Sequence, residues 1–115
     1  MSDYSLKIIL LQGCGYSIAA NDLIQQHQIP SQNQWITQSE KDLYVNEKIQ
    51  TYPQIYLNKI NSKGNLLLGG YTELKSFIDT FKGAKISDSN INEFMNKSKW
   101  SKKSTLRLIQ LINKL

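Results

Sequence analysis

The chain alternates short apolar runs with stretches of helical periodicity. Residues 6–12 begin with an apolar run whose length and β-branched side chains predict a largely buried strand. The next stretch predicts an amphipathic helix, since the spacing i, i+3, i+4 and i+7 of Ala20, Leu23, Ile24 and His27 puts these residues on one helix face. Ile29-Pro30 ends this helix.

The middle of the chain repeats this alternation. Residues 34–37 predict a second short strand, and residues 40–48 are compatible with a helix that Ser39 caps. Residues 54–57 and 66–68 predict two strands of a hairpin with a turn-rich loop over 58–64. A further helix has an apolar face made by Tyr71, Leu74, Phe77, Ile78 and Phe81, and Gly83 ends it. The order β-α-β-α-β-β-α indicates an α/β layer with a mixed sheet.

The end of the chain differs in charge and pattern. Ser87 or Ser89 can cap one helix, and Ser104 or Thr105 precedes a second helix with a broad apolar face that we expect to pack on another part of the protein. Residues 1–83 have no net charge, whereas residues 84–115 carry the whole net charge of +5. We therefore predict a body over 1–83 and a basic helical extension over 84–115.

Composition narrows the class of protein. With 115 residues, 40% of them hydrophobic and 20% charged, a single globular domain is expected. A single cysteine excludes an internal disulfide and favours a reducing compartment. The N-terminus lacks the pattern of a signal peptide, and the longest apolar run is too short to span a bilayer. We therefore expect a soluble, cytoplasmic protein.

The cysteine lies between the first strand and the first helix, in Gly13-Cys14-Gly15-Tyr16-Ser17. A thiol at a helix N-terminus faces unpaired N–H groups and the positive end of the helix dipole, which lower its pKa. The thiolate is the reactive form in disulfide exchange. The alternative is a small buried apolar side chain, and position alone leaves both interpretations open.

Two other segments have possible roles beside Cys14. In Thr51-Tyr52-Pro53, a proline directly ahead of a strand can adopt the cis form and turn backbone groups outward to pair with a peptide-like substrate. In Gly69-Gly70-Tyr71-Thr72-Glu73, the start of a helix offers N–H groups to an anion, and Glu73 can pair with an amine. The alternatives are an ordinary proline at a strand start and a plain helix capped by Thr72.

Together these three segments resemble the glutaredoxin family over about residues 6–83. Residues 14–17 resemble its Cys-Pro-Tyr-Cys motif, residues 51–56 its Thr-Val-Pro-Gln-Ile-Phe segment with a cis-proline, and residues 69–74 its Gly-Gly-x-x-Asp-Leu segment. The resemblance implies a thioredoxin-like fold, a four-stranded mixed sheet flanked by helices, with glutathione as co-substrate.

The resemblance also implies roles for single residues. Cys14 is the expected nucleophile, in a site lined by Gly15, Tyr16 and Ser17. The expected glutathione contacts are Gln50 for the glycyl carboxylate, Tyr52 beside Pro53 for the cysteinyl backbone, Gly70, Tyr71 and Thr72 for the γ-glutamyl carboxylate, and Glu73 for the amine.

The sequence departs from the family at two positions. Ser17 replaces the second cysteine, so only a monothiol route is available. Leu11 stands where the family usually has a lysine that binds a glutathione carboxylate, and Lys48 and Lys7 are candidates to replace it.

The resemblance therefore implies a monothiol oxidoreductase that removes glutathione from proteins or reduces protein disulfides. One alternative follows from the similarity of Cys-Gly-Tyr-Ser to the Cys-Gly-Phe-Ser site of monothiol glutaredoxins. In that class two protomers and two glutathiones hold a [2Fe–2S] cluster, so Cys14 would be an iron ligand. The other alternative is a non-catalytic module whose basic extension contacts nucleic acid or an acidic partner.

Overall fold

The computed structural model describes residues 4–59, 64–83 and 86–114. Its strands form one mixed sheet in the order β2-β1-β3-β4. They are β1 (Tyr4–Leu11), β2 (Ser31–Ile36), β3 (Gln54–Lys59) and β4 (Asn65–Gly69). β1 is parallel to β2 and antiparallel to β3, and β4 is antiparallel to β3. The predicted four-stranded mixed sheet is therefore confirmed.

Four α-helices and one 3₁₀ helix connect or follow these strands. They are α1 (Gly15–Gln26), the 3₁₀ helix (Gln38–Leu43), α2 (Tyr71–Phe81), α3 (Asp88–Ser98) and α4 (Lys102–Asn113).

Both faces of β1 are covered, which explains its continuous apolar run. Successive side chains of a strand point to opposite faces of the sheet. Leu6, Ile8 and Leu10 face the main core with α1, α2 and the extension, whereas Ile9 and Leu11 pack in a smaller cluster with Ile36 and Tyr52. The active-site segment that follows β1 thus leaves from a strand held on both sides.

The C-terminal helices pack into the core of the body. Trp100, Leu108 and Ile112 belong to the same buried cluster as Phe77 and Phe81 of α2. The rings of Phe94 and Trp100 meet edge to face with centroids 5.5 Å apart. The prediction that the apolar face of the last helix packs on another part of the protein is confirmed.

Polar contacts fix α4 just before its start and at its last residue. The Trp100 indole N–H donates to the carbonyl of Leu67 on β4, with a 3.2 Å separation. The Asn113 side chain donates to the Phe81 carbonyl at 2.9 Å and accepts from the N–H of Gly83 at 2.8 Å. Gly83 has a positive φ of 67°, as its predicted place after the helix end requires.

Several predicted boundaries are wrong for identifiable reasons. The expected helix over 40–48 is a 3₁₀ helix capped by Thr37 instead of Ser39, because the Glu40 carboxylate accepts from the N–H of Thr37 at 2.9 Å. α4 begins after Ser101, whose hydroxyl accepts from the N–H of Ser104, so neither Ser104 nor Thr105 is the cap. Ser87 caps α3 as predicted. Residues 60–63 of the predicted loop, with 1–3, 84–85 and 115, lie outside the described residues.

The turn from β4 into α2 requires glycine at its first position. Gly69 has a φ of 137°, and a Cβ there would lie 2.6 Å from the Cγ and Oε1 of Glu73. Glu73 cannot move away freely, because its Oε1 accepts from the N–H of Gly70 at 2.8 Å. Glycine at this position therefore lets the first turn of α2 follow β4 closely, with the Glu73 side chain against the backbone of Gly69.

Replacing Leu108 by alanine should lower the free energy of unfolding by about 2–5 kcal/mol, because this fully buried side chain would leave a cavity. Leu66→Ala is the control, since Leu66 is 41% exposed and its loss should cost clearly less. Urea denaturation followed by circular dichroism measures both. Equal midpoints for the two variants would contradict the packing of α4 in the core.

Replacing Gly69 by alanine should cost at least about 1 kcal/mol, because the backbone is strained for a side chain and the new Cβ collides with Glu73. Gly15→Ala is the matched control, since no atom lies within 4 Å of a Cβ at that position. Urea midpoints of the two variants give the comparison, and an unchanged midpoint for Gly69→Ala would refute this account of the turn.

Candidate active site

Cys14 lies at the N-terminus of α1, where the sequence predicted it. After β1 ends, Gly13 turns the chain with a φ of 81° and Cys14 becomes the N-cap residue of α1. Its carbonyl accepts the first helical hydrogen bond from the N–H of Ile18 at 3.1 Å. The side chain is half-buried, so the thiol meets both solvent and the end of the helix.

The sulfur of Cys14 faces the turn that precedes β3. The Tyr52–Pro53 peptide bond is cis. Cys14 Sγ lies 3.8 Å from the carbonyl oxygen of Tyr52, a contact between residues 38 positions apart in sequence. Two of the three segments singled out in the sequence therefore meet at one point.

The start of α2 brings the third segment to the same place. A Cβ at Gly70 would lie 3.5 Å from the carbonyl oxygen of Pro53, so these two backbones are near neighbours. The ring of Tyr71 lies 6.0 Å from the ring of Tyr16, centroid to centroid. Tyr16 is 65% exposed and forms an open rim beside the cysteine.

Glu73 acts as part of the helix cap. Gly70 is the N-cap residue of α2, and Thr72 is an exposed residue inside the first turn, so Thr72 is not the cap. Glu73 Oε1 accepts from the N–H of Gly70. This bond places the carboxylate at the helix start beside residues 70–72.

Ser17, which stands where the glutaredoxin motif quoted above has its second cysteine, makes a structural hydrogen bond. Its side chain is fully buried. The hydroxyl accepts a hydrogen bond of 3.0 Å from the N–H of Leu11, which ties the first turn of α1 to the end of β1.

A pocket of about 450 Å³ opens beside Cys14. Gln50 and Thr51 lie on its wall together with Leu11 and Tyr52, so the residue expected to meet the glycyl carboxylate is close to the sulfur. The lining also contains Lys41, Asp42 and Val45. Lys48 and Lys7, the expected substitutes for the lysine missing at Leu11, are not among the lining residues.

Lys41 is the pocket residue that sequence reasoning missed. The Tyr52 hydroxyl donates to the carbonyl of Lys41, which holds the 3₁₀ helix against the cis-prolyl turn. That contact joins two segments that are separate in the sequence, and no hydrophobic or polar pattern predicts it.

Two side chains of this frame have shifted pKa values. Burial raises the pKa of Tyr52, and the charge of Asp42 with the phenols of Tyr44 and Tyr56 raises it further, so Tyr52 stays a neutral donor at pH 7. The backbone N–H and hydroxyl of Thr37, both bonded to the Glu40 carboxylate, lower the pKa of Glu40. Glu40 is therefore ionised where it caps the 3₁₀ helix.

Within residues 4–59, 64–83 and 86–114, no group of three or more His, Cys, Asp or Glu side chains is placed to hold a metal ion. The single thiol supplies one of the four ligands that a [2Fe–2S] cluster requires. This chain alone does not fit such a cluster. None of the helices in the described part has the length and apolar character needed to cross a membrane.

Searches of protein-family models and of curated proteins found no match for this chain. A search of solved structures found similarity to the crystal structure of glutaredoxin 1 from Francisella tularensis complexed with cacodylate. The sequences are 24% identical and the TM-score is 0.53; the match covers 66% of this chain and 93% of that chain. The chain therefore has a thioredoxin-like fold, similar to that of this glutaredoxin.

Proposed function

We propose that this protein is a glutathione-dependent thiol–disulfide oxidoreductase that works through Cys14 alone. The observation that carries the proposal is the position of Cys14 Sγ, which is half-exposed at a helix N-terminus and 3.8 Å from the Tyr52 carbonyl at a cis-prolyl turn. A pocket of about 450 Å³ beside the sulfur offers room for part of a tripeptide.

The reaction takes two disulfide exchanges. The Cys14 thiolate attacks the glutathione sulfur of a protein–glutathione mixed disulfide; the new S–S bond forms as the old one breaks, and the protein thiolate leaves and takes a proton from solvent. A glutathione thiolate then attacks the glutathione sulfur bound to Cys14. This step releases oxidised glutathione and restores the Cys14 thiolate.

Each step benefits from the helix end. Cys14 is the N-cap residue of α1, and the dipole of a helix favours negative charge at its N-terminus, where the sulfur lies when it attacks and when it leaves. Ser17 has no thiol to resolve the mixed disulfide, so the second glutathione is the resolving partner. A second internal thiol is unnecessary for this route.

The two ends of glutathione suit the two sides of the sulfur. On one side, the N–H groups of Tyr71 and Thr72 at the start of α2 suit the γ-glutamyl carboxylate. The N–H of Gly70 is already bonded to Glu73, whose carboxylate suits the amine. On the other side, Gln50 and Lys41 in the pocket suit the glycyl carboxylate. The backbone of Tyr52 lies between them and suits strand-like pairing with the cysteinyl residue.

The alternatives have less support. A [2Fe–2S] cluster needs two chains and two glutathiones around one cysteine per chain, and no described feature favours such a dimer. A module without chemistry does not account for a thiol placed at the junction of three segments. The oxidoreductase is the function that uses all three.

Cys14→Ser should abolish turnover of a glutathionylated peptide, because the nucleophile is lost. In the assay, glutathione reductase reduces the oxidised glutathione that is released, and the absorbance of NADPH reports its consumption. Ser39→Ala, an exposed change in the 3₁₀ helix, is the control and should retain activity. A folded wild-type protein without turnover would reject the proposed function.

Lys41→Met should raise the KM for glutathione roughly two- to fivefold with little change in kcat, because an exposed ion pair contributes up to about 1 kcal/mol. The effect should shrink at high salt. Lys48→Met is the matched control, since Lys48 does not line the pocket. Equal KM values for the two variants would remove Lys41 from the glutathione site.

A further inference from the structure

A second cavity of about 450 Å³ forms a groove between α2 and α3. Its apolar lining includes Phe77, Phe81 and Phe94. One end is formed by Thr72 and Glu73 of α2 and by Lys97 and Ser98 of α3. We call this the site end, because Thr72 and Glu73 follow Tyr71, whose ring neighbours Tyr16 at the rim of the active site.

Four exposed lysines surround the site end and the start of α4. Lys97 lies in the last turn of α3, Lys99 caps it, and Lys102 and Lys103 begin α4. We refer to these four residues as the basic corner. In the part of the chain that the structure describes, the only salt bridge joins Lys75 to Asp79, so none of these four lysines is held in a salt bridge.

The basic corner is held in place by the core. Trp100, in the middle of the corner, is 7% exposed and bonded through its indole N–H to β4. The hydroxyl of Ser98 accepts from the N–H of Trp100 at 3.1 Å, and the hydroxyl of Ser101 caps α4. The four charges therefore project from fixed helix ends.

We propose that the basic corner and the α3 side of the groove next to it bind the acidic surface of the protein whose disulfide is reduced at Cys14. This inference rests on the proposed function, and it names the class of substrate. The proposed contacts of glutathione lie in the pocket beside Cys14 and over residues 70–73, so they do not include the four lysines of the corner. Tyr16 is 65% exposed and its ring neighbours Tyr71, which leaves this rim open to the protein joined to glutathione on the side where α2 begins.

The charges fit a protein partner better than a nucleic acid. Glu73 and Glu93 line the groove together with Lys97, so the groove has mixed charge. The uniformly negative backbone of a nucleic acid would meet both carboxylates, whereas a protein can place its acidic side chains on the basic corner and neutral or basic ones opposite the two glutamates. Ser76, Thr80 and Asn90 give the same groove neutral hydrogen-bonding groups suited to a polypeptide. Fixed cations at the rim of such a surface mainly increase the rate of association and select the partner.

The test uses two glutathionylated reporter proteins that share one scaffold and one cysteine. Glutamates surround the cysteine in the first reporter, and lysines surround it in the second. At low salt the wild-type protein should reduce the acidic reporter with a kcat/KM at least about tenfold higher than the basic one. The ratio should approach one as added salt screens the charges.

The variant Lys97→Glu with Lys99→Glu should reduce this preference at least about fivefold, while turnover of a glutathionylated dipeptide stays unchanged. Lys59→Glu with Lys114→Glu is the control, because it changes the net charge equally with both residues exposed and outside the groove. The salt series on the wild-type protein keeps the test decisive even where a variant folds poorly.

The outcomes separate the two proposals. Absence of turnover with the dipeptide overturns the proposed function. Turnover of the dipeptide with equal rates for both reporters, or an equal loss of preference in both double variants, overturns the docking surface alone. Inhibition by a single-stranded oligonucleotide at a concentration that saturates the corner, without preference between reporters, assigns the surface to nucleic acid and also overturns it.

Discussion

The pairing of β1 with β3 is the constraint on which the rest of the site depends. The two strands are antiparallel neighbours, and Ile9 pairs with Gln54, so the end of β1 and the start of β3 lie at the same border of the sheet. The turn that carries Cys14 leaves from one strand, and the cis-prolyl turn enters the other. Because both strands are buried on both faces, the sulfur and the Tyr52 carbonyl are brought together by the core itself.

Polar bonds, more than apolar packing, hold the pocket wall. No residue of the 3₁₀ helix is buried. The wall is fixed instead by the Tyr52 hydroxyl, bonded to the Lys41 carbonyl, and by Gln54, whose amide donates to the Tyr44 carbonyl at 2.9 Å. Gln54 is 1% exposed, so loss of the Tyr44 carbonyl would leave its buried amide N–H without that acceptor, although the amide oxygen still accepts from the Tyr56 hydroxyl. This wall belongs to the less stable part of the fold, since such segments open locally more easily than the core.

The sequence predicted the elements with strong patterns and missed those set by tertiary contacts. The apolar run of β1 and the stripe of α2 are signals of burial, and both elements were found. β2 begins at Ser31, three residues before the predicted start. The early part was missed because Gln32 and Asn33 are both exposed, so the sequence shows no alternation of apolar and polar residues there. Thr37 and Ser39 are both able to cap a helix, and the choice depends on which N–H the Glu40 carboxylate reaches. Lys41 lines the pocket because the Tyr52 hydroxyl donates to its carbonyl, and a tertiary contact of this kind cannot be predicted from the periodicity of the sequence.

The bond between Trp100 and Leu67 also bears on how the molecules behave toward one another. β4 is the outermost strand on its side of the sheet, and such a strand is a template for pairing with a strand of another molecule. A strand that pairs with β4 would have to displace the Trp100 indole from the Leu67 carbonyl, and it would also have to move the start of α4, which follows Trp100 in the chain. The extension thus protects the sheet against aggregation through its border at β4.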